Sequence, residues 1–172
     1  MLIKNIFDIV GSISPIILFF TSLFFLRNLK KYLLFYVFGF GLNNILNAFL
    51  KIVIQEPRPK DDKRFIELFT KNGVRFGADR YGMPSGHAQN CAYSLLFITF
   101  SLNDPNITLF YSIMTLISVI QRYEYNNHTI IQLIVGLCVG FIFAYFIFFL
   151  ANTYIFGKLT NKKDDNFFSR YI

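Results

Sequence analysis

Five long apolar runs, separated by short polar segments, dominate the pattern of the chain. Their approximate bounds are residues 6–26, 32–54, 87–102, 105–121 and 129–156. About 20 helical residues cross the hydrocarbon core of a bilayer, so the first, second and fifth runs are long enough to span it. The third and fourth have roughly 16 or 17 residues, and we expect neighbouring helices or a thinner bilayer to accommodate them. The pattern predicts an all-α integral membrane bundle of about five transmembrane helices, with residues 1–172 forming one domain.

The composition supports a membrane protein. Of 172 residues, 54% are hydrophobic, and they include 23 Phe and 10 Tyr. A soluble domain of this length rarely contains so many apolar side chains. Residues 1–26 lie where a signal peptide would, but their apolar part is long for one and no small-residue cleavage site follows. We interpret them as a retained first span.

The net charge of +7 does not indicate a nucleic-acid partner, because the basic residues lie between the apolar runs instead of along one face. We interpret them as loop anchors, phosphate ligands and contacts to anionic lipids. Cys91 and Cys138 both fall inside apolar runs, where we expect buried thiols and neither a disulfide nor a metal site. No cofactor, metal ion or obligate protein partner is expected.

Counting the crossings gives a topology. The end of the second run, the start of the third, the end of the fourth and the start of the fifth all lie at one membrane face. The Lys and Arg residues that follow the first and last runs favour the opposite face as cytoplasmic. Residues 59–83 form one sizeable soluble loop at the shared face, which we interpret mainly as solvated. Within it, Phe65–Phe69 is a candidate interfacial helix, and Arg80 either forms a loop ion pair or contacts phosphate.

The sequence Tyr81-Gly-Met-Pro-Ser-Gly-His87 precedes the third run. Ser85 is a favourable N-cap, so the free N–H groups and the positive end of the helix dipole predict an anion site. His87 in the first turn could exchange a proton with that anion near neutral pH. The four residues Pro84–His87 are a weak signal alone, because so short a match occurs by chance.

Two cationic residues close the second run. Pro57 is expected to end the helix, so that Arg58 reaches back from the loop towards Lys51. As phosphate ligands they would complement the anion site. Alternatively, Lys51 extends its amine to the membrane surface and Arg58 caps the helix C-terminus.

The segment between the fourth and fifth runs begins with Arg122 and ends with His128. We expect His128 to begin the fifth helix and Gln132 to lie on the same helix face. The Gln132 oxygen could then accept a hydrogen bond from one imidazole nitrogen and leave the other free to attack phosphorus. Farther along, Gln132, Gly136, Gly140 and Ala144 are spaced by four residues, which predicts a helix-packing seam.

The chain's two histidines therefore lie at the same predicted face, each beside cationic residues. Ionisable groups are unfavourable in a membrane protein unless they are paired or functional. Cations and helix N–H groups that neutralise phosphoryl oxygens, one histidine that attacks and one that protonates the leaving oxygen are what phosphoryl transfer requires.

These residues also resemble a known family. Lys51-x6-Arg58-Pro59, Pro84-Ser-Gly-His87 and Arg122-x5-His128 look like the three-part signature of the type 2 phosphatidic acid phosphatase superfamily. The resemblance implies a metal-independent lipid phosphatase whose helical core is shared with vanadium haloperoxidases. It implies that His128 is the nucleophile forming a phosphohistidine and that His87 is the general acid. The implied phosphate ligands are Lys51, Arg58, Ser85, Gly86 and Arg122.

The chain departs from the usual family pattern at Gln121, where Ser is usual, and at Gln132, where Asp is usual. Gln132 and its surroundings are similar to the dolichyl diphosphatase subgroup, although that subgroup usually has Ser where this chain has Gly86. The resemblance implies a polyisoprenyl diphosphate substrate. The distribution of Lys and Arg described above favours a lumenal or extracytoplasmic site, and we expect the endoplasmic reticulum, another internal membrane or the plasma membrane. The alternatives are a phosphatidate or phosphatidylglycerol phosphate phosphatase, and a catalytically silent lipid-binding relative.

Overall fold

The computed structural model describes residues 2–61, 70–71, 74–75 and 77–153. Five α-helices form a bundle, as predicted: α1 (Leu2–Leu26), α2 (Lys30–Ile54), α3 (Gly86–Leu102), α4 (Pro105–Glu124) and α5 (Ile130–Thr153). Between α2 and α3 lie a small antiparallel ribbon of β1 (Thr70–Lys71) and β2 (Val74–Arg75) and a 3-10 turn (Gly77–Arg80).

The predicted bounds agree with the helices to within four residues at the ends that the structure describes. The largest differences are at α1, which begins at Leu2, and at α4, which continues to Glu124. The predicted end of the fifth run, residues 154–156, and the candidate interfacial helix Phe65–Phe69 lie outside the described residues.

Among the described residues, three helices are long and apolar enough to cross a membrane: Ile6–Leu26, Lys30–Ile54 and Ile130–Thr153. The shorter α3 packs against all four other helices, as expected for a short span sheltered by its neighbours. Many large apolar side chains point away from the bundle, which suits a lipid environment. Examples are Phe20, Phe38, Ile45, Leu116 and Ile142.

The predicted packing seam is confirmed between α3 and α5. A Cβ atom on Gly136 would lie 2.6 Å from the carbonyl oxygen of Ser85, and one on Gly140 would lie 2.9 Å from the Cβ of Ala92. Only residues without a side chain allow this approach of two helices. The seam therefore sets the start of α3 directly beside the first turns of α5.

Helix α1 meets α4 at Gly11. A Cβ atom there would lie 2.5 Å from the Cβ of Gln121. Pro15 lacks the N–H that would bond to the Gly11 carbonyl, and the Ser118 hydroxyl of α4 donates to that carbonyl instead, at 3.1 Å. This contact places the first half of α1 next to the start of α3.

Buried amides join α2 to α3. Asn47 donates to Gln89 at 2.8 Å, Gln89 donates to Asn43 at 2.8 Å, and Asn43 donates to Asn90 at 2.7 Å. Each bond satisfies polar atoms in an otherwise apolar interior. The cysteine prediction holds for Cys91, which is buried, and is wrong for Cys138, which is exposed on the outer surface of α5.

Candidate active site

The end of α2 and the starts of α3 and α5 meet at one end of the bundle, as the crossing count predicted. The Gly82 N–H donates to the Glu56 carbonyl at 2.8 Å, and the Ser85 N–H donates to the Gln132 carbonyl at 3.1 Å. Backbone bonds therefore hold the loop before α3 between the end of α2 and the start of α5.

A cation cluster formed by Lys51, Arg58 and Arg75 surrounds the carboxylate of Asp79. The nitrogen–oxygen distances are 3.2 Å from Lys51, 2.8 Å from Arg58 and 2.6 Å from Arg75. Arg58 reaches back from the loop, as predicted, and its side chain is only 8% exposed. Partial burial alone would raise the pKa of Asp79, but the charges of Arg58, Lys51 and Arg75 lower it, so the carboxylate is ionised at neutral pH.

Asp79 therefore occupies the donors that were predicted to hold a phosphate. Arg75 and Asp79 are exceptions to the interpretation of residues 59–83 as a mainly solvated loop, because their side chains are partly buried in an ion pair. Their spacing of four residues could have suggested an ion pair, but nothing in the sequence placed that pair against Lys51 and Arg58. Arg80 lies over the ring of Tyr81 and donates to its hydroxyl, and among the described residues it forms no ion pair. Its contact with phosphate stays a prediction.

His128 is buried beside the cation cluster. Its Nδ1 lies 3.2 Å from Oε1 of Gln132, as the spacing predicted, and its Nε2 lies 3.1 Å from Nη1 of Arg58. Helix α5 begins at Ile130, so His128 precedes the helix instead of beginning it. The Thr129 hydroxyl accepts from the Gln132 N–H while Gln132 Oε1 accepts from the Thr129 N–H, and these reciprocal bonds form a capping box.

The bonds of Gln132 determine which nitrogen of His128 carries the proton. Oε1 faces the Thr129 N–H, which can only donate. Nε2 donates to Oε1 of Glu56 at 2.8 Å and to the Pro57 carbonyl at 2.9 Å. The amide cannot be reversed without placing donors against donors, so Nδ1 of His128 must be the donor to Oε1.

Arg58 leads to the same assignment, because a guanidinium only donates and Nε2 of His128 must therefore accept. Burial lowers the pKa of His128 well below its ordinary value, and the charges of Arg58, Lys51 and His87 lower it further. The hydrogen bond to Gln132 opposes this shift but is the smaller effect. At neutral pH the ring is therefore uncharged, with its lone pair on Nε2.

His87 lies at the start of α3 and has the opposite tautomer. Its Nε2 lies 3.0 Å from the Ser12 carbonyl of α1, which can only accept, so Nε2 carries the proton. Ser85 is the helix N-cap, as predicted, and its hydroxyl accepts from the Ala88 N–H at 3.5 Å. Gly86 is the first helical residue, so its N–H is among those at the helix N-terminus.

Arg122 lies on the His87 side of the site, close enough for its charge to act on His87. Its Nε donates to Oε1 of Gln121 at 2.6 Å. The hydroxyl of Tyr125 bonds to Asp8, and this contact raises the pKa of Tyr125. Oδ1 of Asp8 and Nε2 of Gln121 are buried without a hydrogen-bond partner among the described residues.

The structure thus brings together every residue that was predicted for the site, in two groups around His128 and His87. Their catalytic and binding roles stay predictions. Sequence analysis missed Glu56 and Asp8. An acidic residue at a helix end, such as Glu56, carries no distinguishing signal, whereas Asp8 could have been singled out as an ionisable residue inside an apolar run. Among the residues that the structure describes, no group of three or more His, Cys, Asp or Glu side chains could hold a metal ion.

Comparison with known proteins assigns the chain to a family. The sequence profile of the PAP2 superfamily matches residues 32–155. Dolichyldiphosphatase of Saccharomyces cerevisiae is 29% identical over 124 residues, which cover 66% of this chain and 49% of the yeast protein. The match thus spans about half the length of that relative.

A solved structure has the same fold. It is a transmembrane PAP2-type phosphatidylglycerolphosphate phosphatase from Bacillus subtilis, which superposes with a TM-score of 0.58 at 17% sequence identity. The superposition covers 94% of this chain and 79% of the bacterial one. The profile match, which includes both histidines and the cations around them, shows that the chain belongs to the PAP2 superfamily.

Proposed function

We propose that the chain is a metal-independent lipid phosphatase that removes the terminal phosphate of a polyisoprenyl diphosphate through a phosphohistidine on His128. The observation that carries the proposal is the tautomer of His128. Gln132 and Arg58 together leave the lone pair on Nε2, directed at the cation cluster where a phosphoryl group would be held.

In the first step, Nε2 of His128 attacks the terminal phosphorus, and the bond from phosphorus to the bridging oxygen breaks. The lipid leaves as its monophosphate. Lys51, Arg58 and the N–H groups at the start of α3 neutralise the phosphoryl oxygens, with Arg122 on the opposite side. Asp79 must give up these donors, because its carboxylate occupies them here.

His87 is the proposed acid. With Nε2–H bonded to Ser12, protonation at Nδ1 gives the proton that is transferred to the leaving oxygen. Water then attacks the phosphohistidine and gives a proton to Nδ1 of His87, which releases inorganic phosphate and restores both histidines. A phosphate leaving group needs less help from an acid than an alkoxide does, so the diphosphate is compatible with the neutral Gln132 beside the nucleophile.

The relative in yeast supports the diphosphate as substrate. A phosphate monoester such as phosphatidate or phosphatidylglycerol phosphate would fit the same cations. For a dolichyl-type substrate, the membrane would be that of the endoplasmic reticulum or another compartment, with the site on the lumenal or extracytoplasmic face.

The test is phosphate release by the purified, detergent-solubilised protein with EDTA present. Dolichyl diphosphate, phosphatidate and phosphatidylglycerol phosphate are offered in parallel, with His128→Ala as the inactive control. We expect release from the diphosphate, lost in the variant. Release only from the monoesters would overturn the substrate, release that requires a divalent metal would overturn metal independence, and no release at all would favour a silent lipid-binding relative.

A further inference from the structure

Among the residues that the structure describes, the carboxylate of Glu56 bonds to one side chain, the Gln132 amide, which is itself the partner of His128. The bond from Gln132 Nε2 to Glu56 Oε1 measures 2.8 Å, and the contact from Gln132 Oε1 to His128 Nδ1 measures 3.2 Å. The amide of Gln132 thus connects an acidic side chain to the imidazole through two consecutive hydrogen bonds.

This connection is fixed on every side. Gln132 is fully buried, and all four of its amide bonding positions are used, two by acceptors and two by donors. A Cβ atom on Gly82 would overlap the same amide, so the backbone of the loop before α3 closes over it. Such an amide cannot rotate without breaking several bonds at once, and it transmits the position of Glu56 to His128.

The backbone of Glu56 makes a separate contact with the loop before α3, where the Glu56 carbonyl accepts from the Gly82 N–H at 2.8 Å. That bond does not involve the side chain. The half-buried carboxylate makes a different contact, with the Gln132 amide that bonds to His128.

We propose that Glu56 is a positioning residue that acts through Gln132 to fix His128 and to stabilise the positive charge that the ring acquires when Nε2 bonds to phosphorus. A carboxylate in direct contact with a catalytic histidine has both effects. Here the negative charge is one amide farther away, and hydrogen bonds to a charged acceptor polarise the intervening amide. The stabilisation of the charged ring rests on the proposed function, whereas the positioning of His128 by Glu56 does not.

The first experiment replaces Glu56 by Gln, which keeps the shape and an acceptor but removes the charge. We expect kcat to fall by about tenfold to a hundredfold with KM nearly unchanged, since the charge is needed mainly as the ring becomes positive. Nitrogen-15 NMR of His128 in a His87→Asn background should show its pKa lowered further, by about one unit. Exposed Glu124→Gln, at the end of α4, is the matched control and should change neither quantity.

The second experiment exchanges the carboxylate and the amide between positions 56 and 132. It remains informative even if Glu56→Gln alone does not fold. Gln132→Glu places a carboxylate against Glu56 and should be nearly inactive and less stable. Adding Glu56→Gln restores a donor between the two side chains, so the double variant should recover at least tenfold in activity or several degrees in melting temperature.

The outcomes separate the two proposals. An unchanged kcat and an unchanged pKa of His128 in Glu56→Gln would overturn the role of Glu56, as would a double variant no better than Gln132→Glu. If the wild-type protein releases no phosphate from any substrate, the proposed function fails, while the NMR titration and the melting temperatures still test the coupling of Glu56 to His128.

Discussion

The two histidines lie in surroundings of opposite character. On the His128 side, every polar atom of Gln132 has a partner, and the neighbouring backbone is tied by further bonds. On the His87 side, the imidazole has one bond to a helix carbonyl, and two buried polar atoms nearby, on Asp8 and Gln121, have no partner among the described residues. A nucleophile must meet phosphorus in one geometry, whereas an acid beside a leaving group needs room for substrate and water.

The largest predicted effect is on turnover, and its dependence on the leaving group of the substrate should differ between the two histidines. His128→Asn should abolish turnover of every substrate, by more than about ten-thousandfold, because no other group replaces the nucleophile. His87→Asn should lower release from a lipid monoester by about a hundredfold to ten-thousandfold, but have a much smaller effect on a nitrophenyl phosphate, whose leaving group needs no proton.

Steady-state rates on both substrates measure this difference. Equal losses of His87→Asn on the two substrates would contradict the assignment of His87 as the acid. Persistence of a phosphorylated protein in His128→Asn would contradict the assignment of the nucleophile.

Gln132 and Gln121, both fully buried, offer a matched pair for the two sides. Gln132→Leu should reduce kcat by about a hundredfold or more, because the His128 tautomer and the capping box both depend on the amide. Gln121→Leu, on the other side, removes an amide whose Nε2 has no partner among the described residues, and we expect a loss of about tenfold or less. Similar losses of kcat in the two variants would contradict the difference in order between the His128 and His87 sides.

Removing Asp79 tests whether the cation cluster binds phosphate. Asp79→Asn takes away an anion that competes with phosphate, so inorganic phosphate should bind about tenfold tighter. The three cations then repel one another in its absence, and the melting temperature should fall in phosphate-free buffer and rise with added phosphate more than in the wild type. Calorimetry and thermal denaturation in detergent measure the two effects, and weaker phosphate binding would show that Asp79 assists the substrate instead.

The smallest effect concerns pH. In the His87→Asn variant, the NMR titration of His128 should have its midpoint well below 6.5, since burial and the charges of Arg58 and Lys51 disfavour the imidazolium. The native state then binds fewer protons than the unfolded chain between the two pKa values. The contribution of His128 to stability is therefore complete above about pH 6.5 and decreases as the pH falls, by at most about 1.4 kcal/mol per unit. A midpoint at or above pH 6.5 would contradict the conclusion that burial and the nearby cations keep His128 uncharged.

Much of this protein follows from local pattern. The five apolar runs predicted the helices, because about 20 apolar residues in a row have few other stable states in a bilayer. The spacing of His128 and Gln132 predicted their contact, since residues four apart share a helix face, and the same rule identified the seam at Gly136 and Gly140. Ser85 was recognisable as an N-cap from its type and place.

Only the tertiary structure decided which distant groups surround those residues. Asp79 looked like any loop carboxylate until the fold placed it 2.8 Å from Arg58, and Glu56 like any helix-end acid until α5 brought Gln132 against it. The tautomers of the two histidines likewise depend on Arg58 and Ser12, which lie 70 and 75 residues away in the chain. Local sequence determines periodicity and caps, whereas the charge and hydrogen bonding at each histidine depend on contacts that exist only after the helices have packed.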